Sequence, residues 1–376
     1  MVEQLKSLEK LKEACSPSPQ NKQLKEWKKA GKKVLGWMCT YVPEEIVHAS
    51  GMLPFRVYGD VSEIKEADAY LHINTCTYVR SCFEMALQND YDFLDGFVAC
   101  ASCDPMRRCY DTWNHYFKKR LNFILAPSAK KTPEAVGLFA TELGRFRKNI
   151  EETQGVEISE DTLRRSIGLY NQSRRLLRTI YDFKKGDNPP LSGTETLEIV
   201  RLASRIPREA YNQHLEEILA EVKSRPTRPN GNVRILISGS EIDQPEFIQL
   251  IENLGSTVVM DDLCTGNRYF WNEVDENAEP MKALATRYMT KAPCARIIPW
   301  GDRADYLKEL VQEFKVDAVI LESLKFCPPY GFQKPLTKGS LEEAGIPVLE
   351  LEREHGDSSV GQFKTRVEAF LEMLRR

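Results

Sequence analysis

Gly96-Phe97-Val98-Ala99-Cys100-Ala101-Ser102-Cys103-Asp104-Pro105-Met106-Arg107-Arg108 is the stretch that decides the fold. Its apolar run, Gly96–Ala99, reads as a strand buried on both faces. Small residues and a thiol follow, and Pro105 is well placed in the first turn of a helix. The order is strand, cysteine, helix start, and it recurs along the chain. Strands near Val34–Met38, Leu53–Val57, Ala69–Ile73, Gly96–Ala99 and Asn122–Ala126 make one such series. Helical periodicity then occupies Pro133–Glu152, Asp161–Phe183 and Glu195–Val222. Beyond the turn-rich Arg225–Asn232 the strand pattern resumes at Val233–Ser238, Thr257–Met260, Ala318–Glu322 and Val348–Leu351. Helices around Glu246–Asn253, Met281–Met289 and Ala304–Phe314 separate these strands, and a docking helix at Val360–Leu374 closes the chain. The expected fold class is α/β with two mostly parallel sheets. We divide it into an N-terminal α/β domain with a helical N-terminus (1–132), a helical connector (133–226) and a C-terminal α/β domain (227–376).

Composition narrows the function. With 376 residues, 42% hydrophobic and 28% charged, the chain can bury large cores without disulfide staples. A net charge of −3 gives no reason to expect nucleic acid as a partner. The opening residues are a charged helical stretch without an apolar core, and no run is long and apolar enough to cross a bilayer. A cytoplasmic location is expected, with neither signal peptide nor membrane span. In that compartment ten cysteines are core fillers, redox thiols or metal ligands. The five histidines, His48, His72, His115, His214 and His355, show no zinc-finger spacing, so bound metal would take mostly sulfur ligands.

Six cysteines have informative positions. Cys39, Cys76, Cys103, Cys264 and Cys327 each fall just past the carboxyl end of an expected strand, while Cys294 lies in a plain loop. In an open parallel sheet that edge gathers successive loops into a ligand site. Cysteines at helix starts also gain from the helix dipole, and Arg107 and Arg108 add positive charge beside Cys103. Cys15 and Cys100 read as core residues, and Cys82 and Cys109, inside helices, as packing or supporting groups. Cys100-Ala101-Ser102-Cys103 has dithiol spacing, but Cys100 ends the strand instead of starting a helix. Gly239-Ser240 lacks the later glycines of a dinucleotide loop, and no Walker A sequence occurs.

These residues carry a resemblance. The segments Gly36-Trp37-Met38-Cys39-Thr40-Tyr41-Val42-Pro43-Glu44-Glu45-Ile46, Gly51–Arg56, Cys76–Cys82, Cys103–Arg108, Asp262–Gly266, Lys325-Phe326-Cys327 and Gly361–Phe370 resemble the 2-hydroxyacyl-CoA dehydratase / benzoyl-CoA reductase family. The resemblance implies two Rossmann-like domains with an iron–sulfur cluster between them, held by Cys76, Cys103 and Cys327. It further implies a separate ATP-hydrolysing iron–sulfur activator that delivers a very low-potential electron. In the dehydratases the electron enters a 2-hydroxyacyl-CoA thioester, and in benzoyl-CoA reductase an aromatic ring. Cysteines at all six positions, Cys39, Cys264 and Cys294 included, are similar to the double-cubane branch, in which an [8Fe-9S] cluster takes six thiolates. The other readings are a single [4Fe-4S] subunit of a hetero-oligomer and a non-catalytic cysteine or zinc scaffold. The double-cubane reading implies a homodimer; the other subunit types imply a related, non-identical partner. An acyl-CoA is the implied substrate class. Arg268 and Arg296 stand beside two of the cysteines. Glu352 and His355, in the acidic end of the last strand, are proton-donor candidates if they are not simply a solvated rim.

Overall fold

The computed structural model describes residues 5–16, 21–59, 63–119, 121–227, 233–354 and 360–375. Helices α1 (Lys6–Ala14) and α2 (Lys22–Lys29) lead into β1 (Val34–Trp37), α3 (Glu44–Ala49), β2 (Leu53–Arg56), α4 (Thr77–Leu87), β3 (Gly96–Cys100), α5 (Asp104–Tyr116) and β4 (Leu121–Leu125). Four helices follow without a strand: α6 (Pro133–Gln154), α7 (Glu160–Asp182), α8 (Gly193–Arg201) and α9 (Arg208–Ser224). Then come β5 (Val233–Gly239), α10 (Pro245–Asn253), β6 (Ser256–Asp262), the short α11 (Asn267–Phe270), α12 (Pro280–Thr290) and α13 (Gly301–Glu313). The chain ends with β7 (Ala318–Leu324), α14 (Pro328–Glu343), β8 (Val348–Arg353) and α15 (Val360–Leu374).

Both sheets have four parallel strands, in the orders β2-β1-β3-β4 and β6-β5-β7-β8. The second order is the first repeated four strands later, so the two halves share one wiring. Side chains alternate between two cores along each strand, as the two-residue period of a strand requires. Leu35, Trp37, Val98 and Cys100 enter one cluster of the first sheet, and Val34, Met38, Phe97 and Ala99 the other. In the second sheet Leu236, Met260, Val319 and Leu321 face one core, while Ile235, Ile237, Val258 and Ile320 face its opposite. Burial on both faces explains why the strands read as continuous apolar runs. At Gly96 a Cβ would lie 2.0 Å from the Leu121 carbonyl oxygen, so only glycine allows β3 and β4 to pair there.

The sequence expectation fails in two places. Ala69–Ile73 is not a strand: Ala67–Ala69 is a 3-10 turn, and Ile73 is 60% exposed. The Glu84 carboxylate accepts the N–H groups of Glu66 and Ala67, and Arg80 pairs with Asp68 and donates to the Thr75 carbonyl, which bends the segment into a loop. The expected helix Glu195–Val222 is two helices, because the chain turns at 202–207 and Pro207 caps α9. A Ser192–Glu195 capping box starts α8 just upstream.

Buried polar contacts tie the helices to both sheets. Glu44 accepts from Arg208 at 3.0 Å and from the Tyr269 hydroxyl at 2.6 Å. Glu45 pairs with Arg174 and accepts from the Tyr288 hydroxyl at 2.7 Å. Both carboxylates start α3, just beyond Cys39, so the Cys39 loop is clamped to α7, α9 and α12. Among the described residues no helix is long and apolar enough to cross a membrane.

Candidate functional site

One cavity lies where the carboxyl ends of strands from both sheets converge, with about 690 Å³ free of protein atoms, open mouth included. Cys39, Cys76, Cys103, Cys264, Cys294 and Cys327 all line it. Cys39 and Cys264 sit two residues past β1 and β6, and Cys103 and Cys327 three past β3 and β7. Cys76 follows no strand, since Ala69–Ile73 is a loop, but it reaches the same cavity as the residue that begins α4. Cys103 and Cys327 likewise stand at the N-caps of α5 and α14, each followed by proline in the first turn. Pro43, which the sequence also suggests as a first-turn proline, instead caps α3.

The six thiols influence one another across the cavity: Cys327 is raised by Cys76 and Cys103, and beyond the effect of burial Cys264 is raised by Cys294 and Cys39, and Cys103 by Cys76, Cys39 and Cys294. They come from both halves of the chain. Hydrogen bonding from Cys100, against the effect of burial, holds the Cys39 thiol down at about 5, and Ser102 lies 3.3 Å from its Sγ. Burial pushes Cys264 up to about 11 and Cys103 higher still. The hydrogen bond with Cys76, reinforced by burial, raises Cys327. The N–H groups of Met106 and Tyr330, three residues past their cysteines, favour thiolate at Cys103 and Cys327. Two non-glycine residues at the cavity hold the left-handed backbone region, Cys39 at φ 77° and Phe326, beside Cys327, at φ 61°. Such strain is kept where the surroundings dictate it, commonly at functional sites.

The cavity's charge is arranged by residues from both halves. Arg56, at the end of β2, donates to the Cys264 carbonyl at 2.9 Å and pairs with Glu241, two residues past β5. Arg268 reaches the Cys264 Sγ at 3.4 Å and forms a 3.0 Å ion pair with Asp262. Arg296 donates to the Ser128 carbonyl at 2.8 Å, and Lys291 to the Thr40 carbonyl at 2.8 Å. Burial presses the Lys291 ammonium down to about 7. Glu241 is the sole carboxylate among the described lining residues, and burial raises it. Val79, Pro105, Met106, Leu324, Pro328 and Pro329 supply an apolar wall.

Several sequence readings end differently. Arg107 and Arg108 are exposed, so the positive charge comes instead from Arg56 and Arg296 in the lining and from Arg268 against the Cys264 Sγ. Glu352 is exposed and lies outside the cavity lining, as a solvated rim residue; His355 lies outside the described residues. Cys15, Cys82, Cys100 and Cys109 are buried in cores, outside the lining. Sequence reasoning assigns no role to Arg56, Glu241 or Tyr330: Arg56 closes the Gly51–Arg56 segment without a cue to its partners, and no motif marks the other two. Their only signal is a place near the carboxyl edge shared with the cysteines.

The wall's hydrogen-bonding capacity tests what belongs inside it. Arg56 Nε, Arg296 Nε and the Tyr330 hydroxyl are buried without a partner among the described residues. The guanidinium groups of Arg56 and Arg296 belong to the cavity lining, so an anionic occupant suits it. Among the described residues no three His, Cys, Asp or Glu groups are grouped to hold one metal ion. A zinc ion needs its thiolates converging at about 2.3 Å from one point. A cluster spreads its thiolate ligands over several irons, and six thiols around one cavity fit that chemistry.

Comparison with known proteins places this geometry. The family model described as 2-hydroxyglutaryl-CoA dehydratase, D-component, matches residues 39–374. The chain belongs to this family. The match starts at the first cavity cysteine and takes in all six. A benzoyl-CoA reductase subunit of Thauera aromatica is 27% identical over 93% of this chain and 94% of its own length. The putative dehydratase subunit YjiM of Escherichia coli is 31% identical over 92% of this chain and 93% of its own. The beta subunit of (R)-2-hydroxyglutaryl-CoA dehydratase from Acidaminococcus fermentans is 25% identical over 96% and 97%. Relatives bearing reductase and dehydratase names make an enzyme component the established coarse reading.

Proposed function

We propose that the chain is the iron–sulfur component of a low-potential reductase or dehydratase, with all six cavity cysteines as ligands. The observation that carries this is the convergence of six thiols on one cavity lined also by Arg56 and Arg296. Cys76, Cys103 and Cys327 would hold one cubane of an [8Fe-9S] double cubane, and Cys39, Cys264 and Cys294 the other. When bound, the cluster supplies a single electron at very low potential.

The chain's own residues prepare for that charge. The helix starts at Cys76, Cys103 and Cys327 favour thiolate. Arg56, Arg268, Arg296 and Lys291 offset a net-negative occupant, while the apolar wall limits water and so keeps the potential low. The electron donor in this reading is an ATP-hydrolysing iron–sulfur activator, and the acceptor a small molecule of the acyl-CoA class named for the relatives. The assembly would be a homodimer, and the location cytoplasmic. The subunit names of the relatives favour a second reading: a [4Fe-4S] centre on Cys76, Cys103 and Cys327 within a pair of non-identical chains.

Anaerobic purification with iron and acid-labile sulfide counted per chain tests both. About eight irons supports six ligands, and about four supports three. Colourless protein without iron would end the proposal, and reduction without the activator and ATP would end its partner assignment.

A further inference from the structure

Resting on that reading, we propose that Lys291 is a positioning residue for the cluster: its buried ammonium ties together the chain segments that carry Cys39, Cys264 and Cys294. The other three cysteines are placed by helix starts. Cys76, Cys103 and Cys327 stand at the N-caps of α4, α5 and α14. Cys39, Cys264 and Cys294 cap no helix, and Cys39 also holds the left-handed backbone region at φ 77°. Something else must hold these loops in register.

Lys291, the C-cap of α12, is 3% exposed and stands three residues before Cys294. Its ammonium donates to the Thr40 carbonyl at 2.8 Å, to the Thr40 hydroxyl at 2.6 Å and to the Arg268 carbonyl at 3.1 Å. An ammonium has three donors, so all are used. Thr40 follows Cys39 directly, and the Arg268 guanidinium reaches the Cys264 Sγ at 3.4 Å. Tyr41, next in the Cys39 loop, is gripped as well. Its ring centroid lies 4.9 Å from the Lys291 ammonium and 4.5 Å from the guanidinium of Arg296, which follows Cys294. One side chain therefore joins the neighbours of three cysteines far apart in sequence.

The choice of a lysine points the same way. Its acceptors are neutral oxygens, and no carboxylate pairs with it among the described residues. A buried charge without a counter-ion is costly. Burial and Arg287 press the ammonium down, while thiolate at Cys264, Cys39 and Cys294 works the other way. An anion held by those thiols would keep the tie charged and strong.

The test compares the parent, Lys291→Met, Thr40→Val and Arg234→Met, each purified anaerobically. Arg234, at the amino end of β5, is a buried cation that donates to the Lys315 carbonyl at 2.8 Å and the Lys184 carbonyl at 2.9 Å, so its loss controls for general weakening. Iron is counted before and after challenge with a ferrous chelator, and backbone amide exchange around each cysteine is read by mass spectrometry. Lys291→Met is expected to surrender about four of about eight irons under conditions in which the parent keeps them. Its exchange should quicken at residues 38–42, 262–268 and 291–296 and stay parental at 76–82, 103–108 and 327–332. Thr40→Val, which removes one of the three bonds, should quicken the same segments by less, and Arg234→Met should match the parent in all of them. Parental chelator resistance in Lys291→Met, or quickening spread evenly over all six cysteine segments, overturns the inference and leaves the cluster reading standing. Equal iron loss from Arg234→Met overturns it too, since weakening alone would then explain the effect. Should Lys291→Met not fold, Thr40→Val decides, and parental exchange at 38–42 in that variant refutes the tie. Parent protein with about four irons or none overturns the six-ligand reading, and the inference with it.

Discussion

Replacing Arg56 with methionine removes a guanidinium that spans both sheets at the cavity. Methionine keeps much of the volume, so the loss is electrostatic. Side chains of Arg56 and Glu241 are only 4% and 10% exposed, so the carboxylate left behind is buried and unpaired. Breaking such a pair costs about 3–5 kcal/mol, and the slight exposure of Glu241 puts the value near the lower end, about 3 kcal/mol. The unfolding entropy of a chain this long is about 0.8 kcal/mol per degree, so Tm should fall by about 4 °C. Adding Glu241→Gln removes the stranded charge, and the double variant should recover at least half of that drop. Scanning calorimetry of anaerobically purified parent, R56M, E241Q and R56M/E241Q reads the cycle. If R56M melts within about 1 °C of the parent, or the double variant melts no higher than R56M, the bridge does not bind the two halves as described.

Further outcomes follow from other residues. Cys294→Ser should lower iron from about eight per chain to about four if six thiolates ligate, and leave about four unchanged if only three do, as an iron assay would show. Glu209 is held down at about 2, chiefly by its hydrogen bond to His48. Its depressed value adds stability that is present above the usual carboxylate range near pH 4.5 and lost as pH falls toward 2. Glu209→Gln should therefore flatten that part of an acid-unfolding curve by lowering stability at neutral pH, only slightly because the Glu209 side chain is 60% exposed, while leaving stability near pH 2 unchanged. Gly96→Ala would drive a methyl into the Leu121 carbonyl, against backbone that cannot swing aside. It should cost about 3 kcal/mol, the upper end for overpacking, seen as a lower denaturant midpoint.

Strands are legible in the sequence where burial is two-sided. Val34–Met38 and Ala318–Glu322 read as strands because every residue faces a core, and β1 and β7 lie there. Ala69–Ile73 imitates that signal with alternating Ala69, Leu71 and Ile73. Its real shape depends on Glu84 and Arg80, which meet it only once α4 is in place. Helix α14 is hidden as well, since Pro328, Pro329 and Pro335 look like loop punctuation, although the first two sit in the helix's opening turn. Cys39, Cys103, Cys264 and Cys327 are readable because each follows a strand, whereas the strand expected before Cys76 does not form and Cys294 has no such cue. Arg56, Glu241 and Tyr330 are not readable, because their roles depend on partners as far away as 208 positions, the separation of Arg56 from Cys264.

The duplicated strand order has a consequence for any shortened form of the protein. A fragment ending before Val233 would retain Cys76 and Cys103, with the first sheet's ladder complete, yet never present Cys327 to them. A fragment beginning at Val233 would keep Cys264 and Cys294 but lack Cys39. Neither piece owns a full set of three, so the halves cannot be separated and each expected to retain a working share. On the proposed six-ligand reading, metal capture would wait until synthesis has passed the last thiol and the two ladders have met.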